Sequence, residues 1–152
     1  MHFKSEVIDS TGESVIVAAN EPLQLENVVS AIEPITADTT LTAADSGKTF
    51  ILDATGEVIT LPAVATSSGF KAKFIVSETV ATTDWTIVAA TDVIQGSAQV
   101  AGAVIAASNE NTITLVVAKA LPGDWVSLEC DGTNWYTEGS CVTALGLTFT
   151  AA

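Results

Sequence analysis

Hydrophobic and polar residues alternate with a period of two along several segments of the chain. Val126 and Leu128 alternate with Ser127 and Glu129, and residues 73–76 show a similar pattern. Successive side chains of a β-strand point to opposite faces, so this period predicts strands with one buried face. Together with short apolar runs between turn residues, the pattern predicts strands at 49–53, 58–61, 71–76, 85–89, 112–117, 125–130 and 135–137.

Turn-forming residues separate these segments at short intervals. The clearest signal is Asp131-Gly132 between two apolar runs, which predicts a hairpin because both residue types accept the backbone angles of a tight turn. Helical spacing is weak and confined to residues 99–107. We therefore predict an all-β fold, an antiparallel sandwich or barrel of the jelly-roll or tulip-like kind, with an extended N-terminal arm.

The N-terminal segment differs from the remainder of the chain. Residues 1–33 contain short apolar groups separated by turn residues, whereas residues 34–152 have the regular spacing of a single sandwich domain. The first segment is therefore predicted to be an arm that contacts a partner or a neighbouring subunit. Its candidate contact residues are Val7, Ile8, Val15, Ile16, Val17, Leu23 and Leu25.

Composition and charge narrow the possible partners. The chain is 48% hydrophobic and carries 18 acidic residues against five lysines, for a net charge of −13. Such a charge repels phosphate backbones and anionic lipid headgroups, so neither nucleic acid nor a membrane surface is an expected partner. No apolar run has the length of a membrane span, and the N-terminus lacks the apolar core of a secretion signal.

The sequence offers little material for catalysis or metal binding. Its only histidine is His2, so no serine or cysteine has an expected histidine base within the domain. Cys130 and Cys141 lack the paired spacing of a zinc site, and the residues around Gly47-Lys48-Thr49 lack the first glycine of a phosphate-binding loop. We predict no enzyme activity, cofactor or metal. The two cysteines are compatible with a disulfide or with buried thiols.

The aromatic residues admit two interpretations. Trp and Tyr rings most often fill cores or interfaces, and Trp125 and Trp135 are expected to be cross-strand neighbours in the predicted hairpin. The alternative is a stacking platform for a sugar ring. The candidate residues for glycan contact are Trp85, Trp125, Trp135 and Tyr136.

Two segments carry a resemblance to known proteins. The stretch ITADTTLTAADSGKTF at 35–50, followed by ITLP at 59–62, resembles the opening of domains found in tailed-bacteriophage virions. The stretch GDWVSLECDGTNWY at 123–136 resembles their closing hairpin. Such domains occur in capsid decoration (cement) proteins and in tail fibres, and the resemblance extends from Ile35 to Phe149.

The resemblance implies a function without catalytic residues. Similarity to decoration proteins implies a homotrimer on the outer surface of the virion, seated on the major capsid protein at threefold and quasi-threefold positions. Residues 1–33 lie outside the resemblance and are our candidate for the capsid-facing contact. The chain is short for a fibre with an attachment segment and a shaft, which favours the decoration protein. The alternative is a tail-fibre, head-fibre or adhesin module that binds a host-surface glycan.

Overall fold

The computed structural model describes residues 6–8, 14–16 and 31–152. Strands dominate this part of the chain, with short 3-10 turns at Ala43–Asp45 and Val64–Thr66. The strands are β1 (Glu6–Ile8), β2 (Ser14–Ile16), β3 (Ile32–Ile35), β4 (Thr39–Thr40), β5 (Thr49–Leu52), β6 (Val58–Thr60), β7 (Lys71–Val76), β8 (Trp85–Val88), β9 (Ile94–Val100), β10 (Ala103–Glu110), β11 (Thr112–Leu115), β12 (Trp125–Cys130), β13 (Trp135–Cys141) and β14 (Leu147–Thr150).

The described strands form two large sheets in a sandwich-like arrangement. The first has seven strands in the order β10-β9-β13-β12-β7-β5-β3, and the second has five in the order β14-β11-β8-β6-β4. The strands β1 and β2 pair with each other in a separate two-stranded sheet. The all-β prediction is confirmed, and a strand lies at each of the seven predicted segments. The segment 99–107, with its weak helical spacing, belongs to the β9–β10 hairpin.

Both large sheets are mixed and contain parallel as well as antiparallel pairs, whereas the sequence predicted an antiparallel sandwich or barrel. The strands β3, β5 and β7 run parallel to one another in the first sheet, as do β4, β6 and β8 in the second. The chain alternates between the sheets from β3 to β8 and enters each sheet in the same direction every time. Parallel neighbours follow from that route, whereas hairpins such as β12–β13 remain antiparallel.

Apolar side chains from both sheets fill the space between them. Strand β7 shows the pattern clearly, since Ala72, Phe74 and Val76 are buried while the intervening residues face outward. Phe74 stacks on Phe50 with ring centroids 5.3 Å apart. The sandwich begins at Ile32, so the predicted boundary between residues 33 and 34 falls inside strand β3.

The predicted hairpin at Asp131-Gly132 is present. A four-residue loop, 131–134, joins β12 to β13, and the Asp131 carboxylate accepts hydrogen bonds from the backbone N–H groups of Thr133 and Asn134, both at 2.7 Å. These two bonds lower the pKa of Asp131, and the bond from Asn134 has the larger effect. The loop therefore closes as an Asx-type turn stabilised by the carboxylate form.

The register of this hairpin corrects one sequence-based expectation. Trp125 pairs with Ser140, and Trp135 pairs with Cys130. The two tryptophans therefore lie at opposite ends of the hairpin and are not cross-strand neighbours. Cys130 and Cys141 are separated in the same way, and both are buried free thiols.

Candidate functional site

Two of the four candidate glycan-contact residues lie in the core. Trp85 and Trp135 have no exposed surface, so the prediction of a sugar contact was wrong for both. Trp85 points inward from β8, where its indole Nε1 donates a hydrogen bond to the Asp53 carbonyl at 2.9 Å. Trp135 packs edge-on against Phe70 with ring centroids 5.4 Å apart. A stacking platform needs an open ring face, which neither residue offers.

The other two candidates lie on the outward face of the seven-stranded sheet. Tyr136 is 48% exposed, and its hydroxyl donates to the Asp131 carboxylate at 3.2 Å. Trp125 is partly buried, with the Lys73 ammonium 4.3 Å from its ring centroid. Tyr136 pairs with Glu129, four residues along β12 from Trp125, which places the two backbone positions about 13 Å apart along the strands. The aromatics therefore do not form a single platform.

A shallow depression beside Tyr136 on this outward face is lined by mostly polar residues. It encloses about 370 Å³ and is lined by Ser127, Glu129, Tyr136, Thr137 and Glu138. Ser127 donates to Glu138 at 3.4 Å, and Lys71 forms an ion pair with Glu129 at 2.9 Å. Hydroxyl and carboxylate groups beside an exposed ring can bind sugar hydroxyls. The depression thus retains one aromatic residue of the predicted glycan site.

Part of the predicted contact set in the N-terminal arm falls on described strands. Val7 lies directly opposite Val15 in the β1–β2 pairing, and Ile8 and Ile16 belong to the same two strands. The predicted short strands of the arm are therefore present at these positions. The remaining candidates, Val17, Leu23 and Leu25, lie outside the described residues.

An apolar groove along one side of the sandwich is the feature that the sequence reasoning missed. It encloses about 440 Å³ between β10 and the segment leading into β14, at the side where β10 and β14 are both edge strands. We call this surface the edge groove. Its lining residues are all uncharged: Val100, Ala101, Ala103, Ile105, Ala106, Ala144, Leu145, Leu147, Thr148 and Phe149.

Part of the edge groove lining is open to water. Leu145 in the groove wall is 63% exposed, and Ala103 and Ala144 are exposed as well. Val104 is 74% exposed but faces away from the groove, because it alternates with Ala103 along β10. Val142, in the loop that follows β13, is also 74% exposed. Exposed apolar side chains of this kind are typical of protein interaction surfaces.

The sequence does contain a signal for this surface. Residues 93–109 and 139–152 are its two longest stretches without a charged residue, in a chain that carries 18 acids and five lysines. Each stretch by itself is compatible with an ordinary strand hairpin. Only the fold, which places β9–β10 beside β14, turns the two stretches into one uncharged surface.

The buried carboxylate of Asp124 links the loop before β12 to the end of β13. Asp124 is 2% exposed and accepts hydrogen bonds from the backbone N–H of Leu121 at 2.8 Å and that of Val142 at 2.9 Å. The Cys141 thiol donates to the same carboxylate at 3.0 Å. Burial, reinforced by this carboxylate, raises the pKa of Cys141 from 9.0 to about 12. The thiol therefore acts as a hydrogen-bond donor, because its nucleophilic thiolate form is disfavoured at neutral pH.

Comparison with known proteins finds no relative for this chain. No family model matches it, and neither a curated protein nor a solved structure does. Within the described residues, no group of three or more histidine, cysteine, aspartate or glutamate side chains is placed to hold a metal ion. No helix in that part of the chain has the length and hydropathy of a membrane span.

Proposed function

We propose that this chain is a non-enzymatic decoration (cement) protein that binds the outer surface of a tailed-bacteriophage capsid as a homotrimer. The proposal starts from the resemblance of residues 35–50, 59–62 and 123–136 to virion domains. In the fold, the first of these segments spans the end of β3 through β5, and the last forms the β12–β13 hairpin. The resemblance therefore covers structural elements of the sandwich, including strands at the centre of its larger sheet.

The edge groove is the observation that carries the proposal. A chain with a net charge of −13 repels other acidic molecules over most of its surface, yet it leaves this groove uncharged and apolar. A uniformly charged exterior would suffice for a protein that only had to remain dissolved. An uncharged groove with exposed alanine and leucine side chains favours a role in assembly.

The arm supplies a second contact in the proposed complex. A two-stranded sheet such as β1–β2 is marginally stable alone and gains stability when it adds to another sheet. A capsid protein with an open sheet edge would provide backbone partners for it. A protein that binds only the assembled, expanded shell stabilises that shell by mass action, so cementing requires no reaction.

Light scattering and capsid binding test the proposal together. Light scattering first measures the molar mass of the purified protein in solution, where a trimer has three times the 15.6 kDa mass of one chain. The protein is then mixed with expanded capsids that lack decoration, and the particles are imaged and heated. Protrusions at the threefold positions and a higher temperature of capsid rupture are expected. Absence of binding to capsids at micromolar protein would contradict the decoration role.

The second candidate function is a fibre-type or adhesin module that binds a host-surface glycan, which the depression beside Tyr136 favours. Its test is binding of the intact protein to a glycan array and to host cells. Loss of that binding in Tyr136→Ala, with binding retained in the Trp125→Ala control, would support a site at the depression. A protein that ignores glycans and cells but binds capsids would exclude this alternative.

A further inference from the structure

We infer that the edge groove is where a second copy of this chain docks, with β10 and the 142–145 loop as the two halves of the subunit contact. The inference rests on the proposed function only for the number of subunits. In a trimer the same contact would repeat around the threefold axis. The surface itself is argued from charge, edge geometry and backbone conformation.

Charge favours a second copy as the occupant. Two molecules that each carry a net charge of −13 repel each other, and the repulsion is smallest where the contacting surfaces hold no charge. No residue that lines the groove is charged. A basic partner would instead be expected to bind an acidic surface. An equally uncharged surface is therefore the best partner for the edge groove, and a second copy of the chain has such a surface.

The open edges of the sandwich differ in how well they are protected. At one side, β3 carries Pro34 and β4 has only two residues, Thr39–Thr40. Proline and short length both hinder the addition of a foreign strand. At the other side, β10 is eight residues long, and its stretch 103–108 contains neither proline nor charge. Strand β10 is therefore the edge that remains available for backbone contacts with a partner.

Two of the four non-glycine residues with a positive φ in the described part of the chain line the groove. Leu145 has a φ of 59°, and Ala101 in the β9–β10 turn has a φ of 49°. A left-handed backbone is unfavourable for residues with a side chain, and more so for a bulky one. At Leu145 this conformation accompanies a side chain that is 63% exposed. Burial of that side chain against a second copy would offset the unfavourable conformation.

The two walls of the groove come from different parts of the chain. Strand β10 forms one wall, and the 142–145 loop, in which Leu145 is 63% exposed, contributes to the other. Around a symmetry axis, the β10 wall of one subunit can meet the loop wall of the next. Such a heterologous contact is the kind that closed rings use.

Charge substitutions at exposed positions test the inference in the full chain. Ala103→Glu and Leu145→Glu each place a carboxylate on one half of the contact, since both residues line the groove and are exposed. Ile32→Glu is the matched control, because Ile32 is 69% exposed and faces outward from the opposite edge strand. Sedimentation or light scattering over a concentration series gives the association constant, and circular dichroism with a melting curve verifies the fold of each variant.

We expect the wild type and Ile32→Glu to self-associate alike, whereas Ala103→Glu and Leu145→Glu weaken association at least about tenfold. Amide exchange at residues 103–108 should be slow in the assembled protein and fast in either groove variant. A wild type that remains monomeric at all concentrations, or groove variants that assemble as well as the control, would overturn the inference. Self-association without capsid binding would contradict the decoration role and leave the groove contact intact.

Discussion

The two buried indoles differ in one hydrogen bond, which makes them a natural pair for comparison. Trp85 Nε1 donates to the Asp53 carbonyl, whereas Trp135 Nε1 is buried with no acceptor among the residues that the structure describes. Substitution by phenylalanine removes ring volume at both positions, but only at Trp85 does it also leave a carbonyl without its donor.

We expect Trp85→Phe to lower the free energy of unfolding by about 1 kcal/mol more than Trp135→Phe does. Urea unfolding followed by circular dichroism measures both values, and equal slopes of the two transitions verify that the comparison is valid. Equal losses for the two variants would show that the hydrogen bond of Trp85 contributes no net stability.

Gly96 is the residue at which backbone conformation and close contact coincide. Its φ is +131°, and a Cβ atom there would overlap the Thr137 carbonyl of the neighbouring parallel strand. Gly102 has a φ of +82° with open space around it, so it isolates the conformational contribution.

Gly96→Ala should therefore destabilise the fold by at least about 3 kcal/mol, whereas Gly102→Ala should cost about 1–2 kcal/mol. Thermal melting of both purified variants is the measurement. A Gly96→Ala protein that melts within a degree or two of Gly102→Ala would mean that β9 and β13 separate slightly and accommodate the methyl group.

At the scale of elements, strands with a strict alternation are the ones that the sequence predicts well. Strand β12 alternates buried and outward residues along its whole length, and its position was predicted correctly. Strand β9 has two glutamines and a glycine among small residues, and β10 is rich in alanine, so neither shows a clear period of two. Their pairing depends on the type of turn at residues 101–102 and on contact with β13, which a local pattern does not reveal.

The candidate sites were only partly predictable, because a local sequence pattern does not reveal how strands pair. An aromatic residue in a strand is exposed or buried according to the face on which it lies, and that face depends on register. Trp135 and Tyr136 are adjacent in the sequence, yet the first is fully buried and the second is half exposed. The edge groove depends on two distant, uncharged segments that meet only in the folded chain.

Asp124 connects the loop before β12 to the end of β13 through three hydrogen bonds. An asparagine has a single acceptor atom at this position, and its amide group would face backbone N–H or thiol donors. We expect Asp124→Asn to destabilise the protein by about 2–4 kcal/mol, since the site is buried and the carboxylate bonds are charge-assisted.

Asp84→Asn is the matched control for this substitution. Asp84 is exposed and accepts one backbone hydrogen bond, from Val117 at 2.7 Å, which an asparagine oxygen can also accept. The control should therefore change the unfolding free energy by less than about 1 kcal/mol. Similar losses in the two variants, measured by chemical denaturation, would argue against a special role for the buried carboxylate.

The raised pKa of Cys141 predicts both low reactivity and sensitivity to alkali. The folded protein retains this proton up to about pH 12, whereas the unfolded chain releases it near the ordinary value of 9.0. The stabilisation from the protonated thiol is thus complete below pH 9.0 and declines as the pH rises toward about 12. Burial also raises the pKa of Cys130.

Neither thiol should therefore react with iodoacetamide in the native protein at pH 8, and both should react after denaturation. Ile32→Cys provides a positive control, because Ile32 is 69% exposed and lies outside the proposed subunit contact. Mass spectrometry counts the labelled thiols. Rapid labelling of Cys141 in the native wild type would contradict its burial and its bond to Asp124.

At the scale of the whole molecule, the proposed function divides between the arm and the sandwich. The core residues come from both large sheets, while β1 and β2 pair only with each other in the sheet topology. A chain that begins at residue 31 retains all of β3–β14 and should therefore melt within a few degrees of the full-length protein.

If the arm is the capsid-facing contact, the shortened protein should still self-associate through the edge groove. Its affinity for undecorated capsids should fall at least about 100-fold, because the strand contacts of the arm are lost. The full-length Ala103→Glu variant is the complementary control, because it keeps the arm and weakens the proposed subunit contact. Co-sedimentation with capsids, performed on both proteins beside the wild type, separates the two contributions. Full capsid binding by the shortened protein would exclude the arm as the attachment segment and would direct attention to the outward face of the seven-stranded sheet.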